Sequence, residues 1–334
     1  MSNCNNKQWN PNYDDLIFNP FDLYPSLTGH GDSLPCDEYD PDLHYYNHAQ
    51  DVSNLCDSKY FDVTELNSRI SEMQMSNQCS MFHCNIRSAT KNGNNLSMQL
   101  NVLNHQFDII ALTETWLSEN NHEIVGFQNY NHICMYRQGK IGGGVSILLN
   151  HGVQYHELVE FSLLNEIIEC IFVEIKMTGK NIIIGCIYRP PNSNLTQFSE
   201  CISSILKRVG KPNKYVYLLG DYNIDLLKAR SHQPTSECID NMLCSSFIPL
   251  INRPTRITEN SATIIDNIFT NCHNVSNHIT GIIPTDVSDH FSIFHVLFNN
   301  FCSEENDIKI YKRTVNAQAI NSCKVKLQNT DWSI

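Results

Sequence analysis

Residues 215–223 read Tyr-Val-Tyr-Leu-Leu-Gly-Asp-Tyr-Asn, and they indicate the fold class of this chain. The first five are aromatic, β-branched or aliphatic, which is typical of a buried strand. Gly220 then ends the run, so that Asp221 and Asn223 emerge together where α/β folds usually place their chemistry. A carboxylate two residues from an amide can hold an attacking water and a phosphate oxygen. A strand that simply ends in a turn would have the same sequence.

The sequence on both sides of this stretch predicts many strands and few helices. Further strands are predicted at residues 81–86, 108–112, 130–137, 145–149, 168–175, 181–188, 247–251, 263–270, 279–283 and 291–298, and helices at 96–107, 195–209 and 237–243. The alternation within 168–175 predicts a half-exposed strand. Gly142-Gly143-Gly144 predicts a tight turn between antiparallel strands, because no helix start follows it. Together these patterns predict an α/β fold of two packed, mostly antiparallel sheets flanked by helices.

The charge of the chain is concentrated at its N-terminal end. The 334 residues carry a net charge of −12, and residues 1–75 hold 13 acidic residues against three basic ones. Such a segment buries too little apolar surface to offset its ordering entropy, so residues 1–75 are predicted to be largely disordered, with a short helical turn near 63–73. Residues 76–299 are predicted to form the folded domain, and 300–334 a polar tail or linker. The nearly neutral domain neither requires nor excludes a nucleic-acid partner.

The cysteines and the apolar runs indicate the compartment. Fourteen cysteines are scattered without a C-x-x-C pair and no signal peptide precedes them, which favours reduced thiols in the core. Cys272-His273 lacks the second pair that a structural zinc site would need. The apolar runs are too short to cross a bilayer. We therefore expect a soluble, intracellular protein with no membrane partner.

Polar residues recur where the predicted strands end. They are Asn85, Glu114, Tyr188, Asp221, Asn223, Asp266, Asp289 and His290. Each alone has an ordinary explanation, such as a solvated loop acid or a surface ion pair. Asp266 is harder to explain in that way, because a carboxylate within an apolar strand needs a partner to offset its desolvation. The recurrence predicts that these side chains form one site.

The motifs around these residues follow a recognisable order. They are His83-Cys84-Asn85-Ile86-Arg87-Ser88, Thr113-Glu114-Thr115-Trp116-Leu117, Ile187-Tyr188-Arg189-Pro190-Pro191, Gly220-Asp221-Tyr222-Asn223, Ile265-Asp266 and Ser288-Asp289-His290. This order resembles that of the endonuclease/exonuclease/phosphatase superfamily, and most of all the endonuclease domain of non-LTR (LINE-type) retrotransposon polyproteins. The match covers about residues 79–298. Tyr222 stands where phenylalanine is commoner, a conservative departure that leaves Asp221 and Asn223 in register.

The resemblance implies a four-layer α/β sandwich and a role for each site residue. Glu114 resembles the main Mg²⁺ ligand, with Asn85 nearby and Asp289 sharing the metal; Mn²⁺ could replace Mg²⁺. His290, oriented by Asp266 or Asp289, would stabilise the charge on the scissile phosphate. Asp221 would activate the water, and Asn223 and Tyr188 would hold phosphate oxygens. Thr255 would approach the DNA.

The implied function is a Mg²⁺-dependent endonuclease that nicks double-stranded DNA in the nucleus and leaves a 3′-hydroxyl able to prime reverse transcription. Element RNA would be a partner through a downstream reverse transcriptase, and this chain would be a truncated copy of a longer element. A phosphatase of the same superfamily is the first alternative, although Ile224-Asp225 follow Asn223 where such phosphatases often have an arginine. The second alternative is an inactive remnant, which the full set of site residues argues against.

Overall fold

The computed structural model describes residues 16–19, 56–72, 78–124, 126–177, 180–210, 214–273 and 277–298, together with 321, 324, 325 and 328. The chain divides into two compact units, residues 1–302 and 303–334. The four described residues of the second unit are helical. Most of the predicted disordered segment, residues 1–15 and 20–55, and nearly all of the predicted tail lie outside the described residues.

The described part of the first unit contains sixteen strands and four α-helices. In chain order they are β1 (Lys59–Tyr60), α1 (Val63–Glu72), β2 (Gln78–Asn85), α2 (Ala89–Asn101), β3 (Ile109–Thr113), β4 (Tyr130–Met135), β5 (Val145–Asn150), β6 (Tyr155–Glu157), β7 (Leu163–Leu164), β8 (Glu169–Ile175), β9 (Ile182–Tyr188), α3 (Leu195–Val209), β10 (Tyr215–Asp221), α4 (Gln233–Cys244), β11 (Ile248–Pro249), β12 (Arg256–Ile257), β13 (Ala262–Thr263), β14 (Asp266–Thr270), β15 (His278–Ile283) and β16 (Ser292–Phe298). Short 3₁₀ helices span Val159–Phe161 and Leu226–Lys228.

The strands form two large sheets that are mostly antiparallel. The first has the order β1-β15-β16-β2-β3-β5-β4, and the second has the order β11-β14-β10-β9-β8-β6, with β7 also paired to β8. Each sheet contains a central parallel pair, β2 with β3 in the first and β9 with β10 in the second. Because parallel strands end at the same edge of a sheet, each pair brings two strand ends together.

Three apolar clusters define four layers. One lies between the sheets and joins residues such as Met81 of the first to Ile184 of the second. A second lies between the outer face of the first sheet and helices α1 and α2. The third, which includes Phe172 and Phe198, lies between the second sheet and helices α3 and α4. The predicted four-layer α/β sandwich is confirmed.

Residues 56–72 belong to the folded unit, although the sequence pattern assigned them to the acidic segment. Strand β1 pairs in parallel with the edge strand β15. The helix predicted near 63–73 is confirmed as α1, which buries Leu66 and Ile70. Even Phe18 is buried, and its amide donates a 2.8 Å hydrogen bond to the carbonyl of Asn252. The acidic composition of residues 1–75 gave no indication of these few apolar contacts.

Two local predictions were wrong for identifiable reasons. Strand β8 was expected to be half exposed, but all of it except Glu174 is buried, because the other sheet covers one face and a helical layer covers the other. A helix was predicted at 96–107, but helix α2 spans Ala89–Asn101. It begins earlier than predicted because Ser88 caps its N-terminus by accepting a hydrogen bond from the Lys91 amide. Its first turns lack the apolar spacing that the prediction relied on.

Gly220, the first residue of the Gly220-Asp221-Tyr222-Asn223 motif, allows strands β9 and β10 to approach closely. A β-carbon at this position would lie 1.8 Å from the carbonyl oxygen of Ile187, the residue paired with it on β9. No side chain fits in that gap. The glycine is therefore required by the close contact of two backbones and not by a turn.

We predict that Gly220→Ala destabilises the protein by about 3 kcal/mol or more, because the clash with Ile187 forces the central parallel pair apart. Urea unfolding followed by circular dichroism measures the change. Gly152→Ala is the matched control, since its new β-carbon would meet no atom closer than 3.6 Å. Equal stability of the two variants would contradict this account of the strand pair.

Candidate active site

The two parallel pairs deliver their strand ends to one place. Asn85 and Thr113 are paired at the ends of β2 and β3, with Glu114 directly after, while Tyr188 and Asp221 are paired at the ends of β9 and β10. Two hydrogen bonds then join the sheets. The Asn85 amide donates to Asp221 Oδ2 over 2.8 Å, and the Tyr188 hydroxyl donates to Glu114.

Three buried titratable groups form the centre of the site. Asp221 and Asp266 occupy directly paired positions on β10 and β14, and each is at most 1% exposed. His290 Nδ1 lies 2.9 Å from Asp266 Oδ2. Burial alone would lower the pKa of His290, but the charges of Asp266, Asp221 and Asp289 raise it to about 9. Burial and the nearby charge of Asp266 raise the pKa of Asp221 above its usual range.

Asp266 is held from behind by residues that the sequence did not single out for this role. The buried Thr255 hydroxyl donates to Asp266 Oδ2 over 2.7 Å and accepts from the Asp266 amide over 3.1 Å. The resemblance suggested that Thr255 would approach the DNA. In the structure Thr255 is fully buried and its side chain contacts Asp266. His83 Nδ1 lies 4.0 Å from Asp266 Oδ1, and burial lowers the pKa of His83 to about 4, so this imidazole is neutral.

Asn223 fixes the Asp221 carboxylate. Its backbone amide donates to Asp221 Oδ1 over 2.9 Å, and its side-chain amide donates to Asp221 Oδ2 over 3.2 Å and to the Arg189 carbonyl over 2.8 Å. The Arg189 guanidinium is buried and returns a 3.0 Å hydrogen bond to the Asn223 carbonyl. The side-chain nitrogen that was expected to hold a phosphate oxygen thus contacts protein atoms.

Glu114 is a half-buried carboxylate surrounded by donors. It accepts hydrogen bonds from the Tyr188 hydroxyl, from the Trp116 indole and, over 3.0 Å, from the Gly143 amide. Gly143 lies in the connection between the antiparallel strands β4 and β5, where the glycine turn was predicted. Burial, followed by the hydrogen bond to Glu114, raises the pKa of Tyr188 far above its usual range, so its hydroxyl keeps its proton.

Left-handed backbone conformations gather at these strand ends. Six non-glycine residues among those described have a positive φ, and five of them follow strands of this site: Arg87, Ser88, Glu114, Trp116 and Asn223. Such conformations cost free energy and persist where the surrounding structure imposes them. Two of these residues, Glu114 and Asn223, contribute side chains to the site, whereas Ser88 caps helix α2.

The oxygen atoms near Glu114 fit a hard divalent cation. Asn85 Oδ1 is buried and has no hydrogen-bond partner, and it lies on the strand paired with the one that leads to Glu114. Carboxylate and amide oxygens are the ligands that Mg²⁺ takes. Among the described residues, Asp221, Asp266 and His290 also form a group whose donor atoms lie within 4.8 Å of one another, but there the imidazole already contacts Asp266.

Asp289, the third predicted metal ligand, lies among arginines. Its Oδ1 is 2.9 Å from Arg87 Nη1, and its Oδ2 is 2.8 Å from Arg256 Nε and 2.7 Å from Arg256 Nη2. Burial opposes ionisation, but Arg256, His290 and Arg87 together lower the pKa of Asp289 to about 2. Both of its oxygens therefore contact guanidinium groups.

The remaining described residues bear on two further expectations. The ten described cysteines are free thiols, and Cys79, Cys84, Cys170 and Cys186 are buried within strands. None of the helices in the described ranges is long and apolar enough to span a membrane.

Comparison with known proteins agrees with the fold and the motif order. Residues 83–290 match the sequence profile of the Endonuclease/Exonuclease/phosphatase family. No curated protein matches the chain in sequence.

Several solved structures share the fold at low sequence identity. The endonuclease domain of TRAS1, a telomere-specific non-LTR retrotransposon, is 13% identical, with a TM-score of 0.52 over 66% of this chain and 99% of that one. The AP endonuclease LMAP from Leishmania major is 13% identical, with a TM-score of 0.53 over 75% and 99%. A point variant of the 3′ phosphatase NExo from Neisseria, bound to a product DNA hairpin, is 13% identical, with a TM-score of 0.50 over 66% and 100%.

We predict that Thr255→Val destabilises the protein by about 1–3 kcal/mol, because the isosteric change removes a buried donor from Asp266. Thermal or urea unfolding measures the loss. Thr196→Val is the control: that residue is exposed on helix α3, so the change should cost no more than about 0.5 kcal/mol. Equal effects at both positions would contradict a supporting role for Thr255.

Proposed function

The chain belongs to the endonuclease/exonuclease/phosphatase family, and on that premise we propose that it is a Mg²⁺-dependent DNA endonuclease. The reaction is hydrolysis of one phosphodiester, which leaves a 3′-hydroxyl and a 5′-phosphate. The observation that carries the proposal is the buried group of Asp221, Asp266 and His290 at the same strand ends as Glu114 and Asn85. It combines a base, a cationic group and a set of oxygen ligands in one place.

Asp221 is suited to act as the general base. Its raised pKa makes the carboxylate a better proton acceptor than a solvated aspartate, and two hydrogen bonds from Asn223 fix its orientation. The water oxygen attacks phosphorus as its proton passes to Asp221. The bond from phosphorus to the 3′ oxygen then breaks, and that oxygen takes up a proton.

His290 is suited to stabilise the phosphoryl oxygens. With its pKa raised to about 9, the imidazole is protonated at neutral pH, and Asp266 holds its Nδ1. A fixed cation facing the phosphate is worth more in a site from which water is excluded than in solvent. The hydroxyl of Tyr188, which remains protonated, is the neutral group beside the phosphate. Asn223, whose side-chain amide donates to Asp221 and to the Arg189 carbonyl, positions the base.

Glu114 and Asn85 are the residues that would hold the ion. The buried Oδ1 of Asn85 has no hydrogen-bond partner, and the carboxylate of Glu114 contacts Tyr188, which is paired with Asp221. When bound, Mg²⁺, or Mn²⁺ in its place, neutralises negative charge on the phosphate and the leaving oxygen. Asp289 is the weaker candidate ligand, since two arginines already contact it.

A retroelement role is the finer part of the proposal. The residues of the six sequence motifs and the fold shared with the TRAS1 domain support this role. In that role the chain would act on double-stranded DNA in the nucleus, and the 3′-hydroxyl would prime reverse transcription of element RNA by a reverse transcriptase.

We predict Mg²⁺-dependent relaxation of supercoiled plasmid, abolished by EDTA. Glu114→Ala and His290→Ala should each lower the nicking rate by about 10²–10⁴-fold, because each removes a group that acts on the phosphate. The nicks should be extended by a DNA polymerase without prior phosphatase treatment, since their 3′ ends carry hydroxyls. Gel electrophoresis of plasmid and of extended products measures both results.

Glu72→Ala and His156→Ala are the matched controls, because both side chains are exposed and lie outside the site. Both should nick at the rate of the unmodified protein. Absence of nicking with every divalent ion tested would overturn the endonuclease. Release of phosphate from small phosphoesters without nicking would instead indicate a phosphatase.

A further inference from the structure

One carboxylate at the rim of the site orients two arginines. Asp289 Oδ2 accepts a hydrogen bond from Arg256 Nε over 2.8 Å and lies 2.7 Å from Arg256 Nη2, while Asp289 Oδ1 accepts a hydrogen bond from Arg87 over 2.9 Å. The group therefore carries two positive charges and one negative charge. A guanidinium has five N–H donors, so Asp289 engages only a part of each.

Both arginines are anchored to residues of the site through the backbone. Arg256 forms an isolated antiparallel bridge with His290, and the next amide, that of Phe291, donates to the Thr255 carbonyl over 2.7 Å. Arg87 lies two residues after Asn85 and has a φ of 44°. The amide of Ser88 donates to the Glu114 carbonyl over 2.8 Å. The two guanidinium groups, which belong to separate segments of the chain, thus meet at Asp289.

The exposure of these groups suits a ligand from solvent. The Arg87 side chain is 58% exposed and that of Arg256 is 42% exposed, whereas Asp289 between them is 28% exposed. An ion pair formed only for stability at such a surface contributes little. Planar guanidinium groups held at a fixed angle are, in contrast, well matched to the oxygens of a phosphate.

We propose that Arg87 and Arg256 bind one backbone phosphate of the nucleic-acid strand next to the phosphate that is cut, and that Asp289 is the positioning residue for this pair. The inference deepens the proposed function and rests on it for the identity of the ligand. One phosphate supplies the single negative charge that the group lacks. In this arrangement Asp289 orients the two arginines, and Glu114 and Asn85 hold the ion.

Binding measured without cleavage tests the arginine pair. A fluorescent duplex oligonucleotide is titrated with the full chain in EDTA at several salt concentrations, and anisotropy gives Kd. Arg87→Gln and Arg256→Gln should each weaken binding about tenfold, because each removes one guanidinium contact to the phosphate. The double variant should lower the slope of log Kd against log salt by about 0.9, because both arginines contact one phosphate; a fall of about 1.8 would overturn the shared phosphate.

Arg69→Gln is the matched control. Arg69 is also an exposed arginine in an ion pair, with Glu72 on helix α1, and its side chain is 51% exposed. This variant should keep the Kd and the salt slope of the unmodified protein. Unchanged Kd and slope in Arg87→Gln and Arg256→Gln would overturn the phosphate pair, whether or not the protein nicks DNA. Altered binding by these variants of a protein that never nicks would support the pair and overturn the endonuclease.

A second variant separates positioning from metal binding. Asp289→Asn keeps the shape of the side chain and removes its charge. The Mg²⁺ concentration for half-maximal nicking should stay within about twofold, while kcat falls and KM does not rise, because the released arginines still attract DNA without holding it in register. A tenfold or greater rise in that Mg²⁺ concentration would make Asp289 a metal ligand and overturn its assignment to the arginines.

Discussion

Two carboxylates at paired positions in the protein interior set the constraint on which the rest of the structure depends. Asp221 and Asp266 face each other on β10 and β14, and neither is exposed to solvent. Like charges so placed repel each other and have lost their hydration. His290 compensates them through its hydrogen bond to Asp266. Removal of that imidazole would leave two buried acids without a cation, so the site and its histidine form one unit.

The fold supplies the geometry that this unit requires. Gly220 lets β10 lie close against β9, which sets Asp221 beside Tyr188, and the Asn85 and Tyr188 hydrogen bonds link the two sheets. The central parallel pair in each sheet brings its strand ends to a common edge. Glu114 and Asn223, which follow these strands in left-handed conformations, contribute side chains to the site. Positioning by rigid strands leaves the site little freedom to rearrange, which suits a reaction that depends on orientation.

The sequence predicted the parts of this arrangement that are local. The apolar run before Gly220 is enough to predict strand β10, and the 3.6-residue spacing of apolar residues is enough to predict helix α3. The contact of His290 with Asp266 was expected from the resemblance, but two further partners of Asp266, Thr255 and His83, could not be predicted, because their contacts depend on how the strands pack. The pairing of Asp289 with Arg87 joins residues about 200 positions apart, and no spacing rule connects them. Strand β8 was misjudged for a related reason, since its alternation does not show that helices cover its outer face.

The protonation state of His290 is the most direct test of the central interaction. The titration of its ring can be followed by ¹H–¹⁵N NMR of the metal-free protein, with His290→Gln used to assign the signal. The structure predicts an imidazole that stays protonated through neutral pH and loses its proton near pH 9, because Asp266 and Asp221 hold the charge. An imidazole that titrates at its ordinary pKa of about 6.5 or below would show that the two buried carboxylates are not compensated in this way, and would contradict the account.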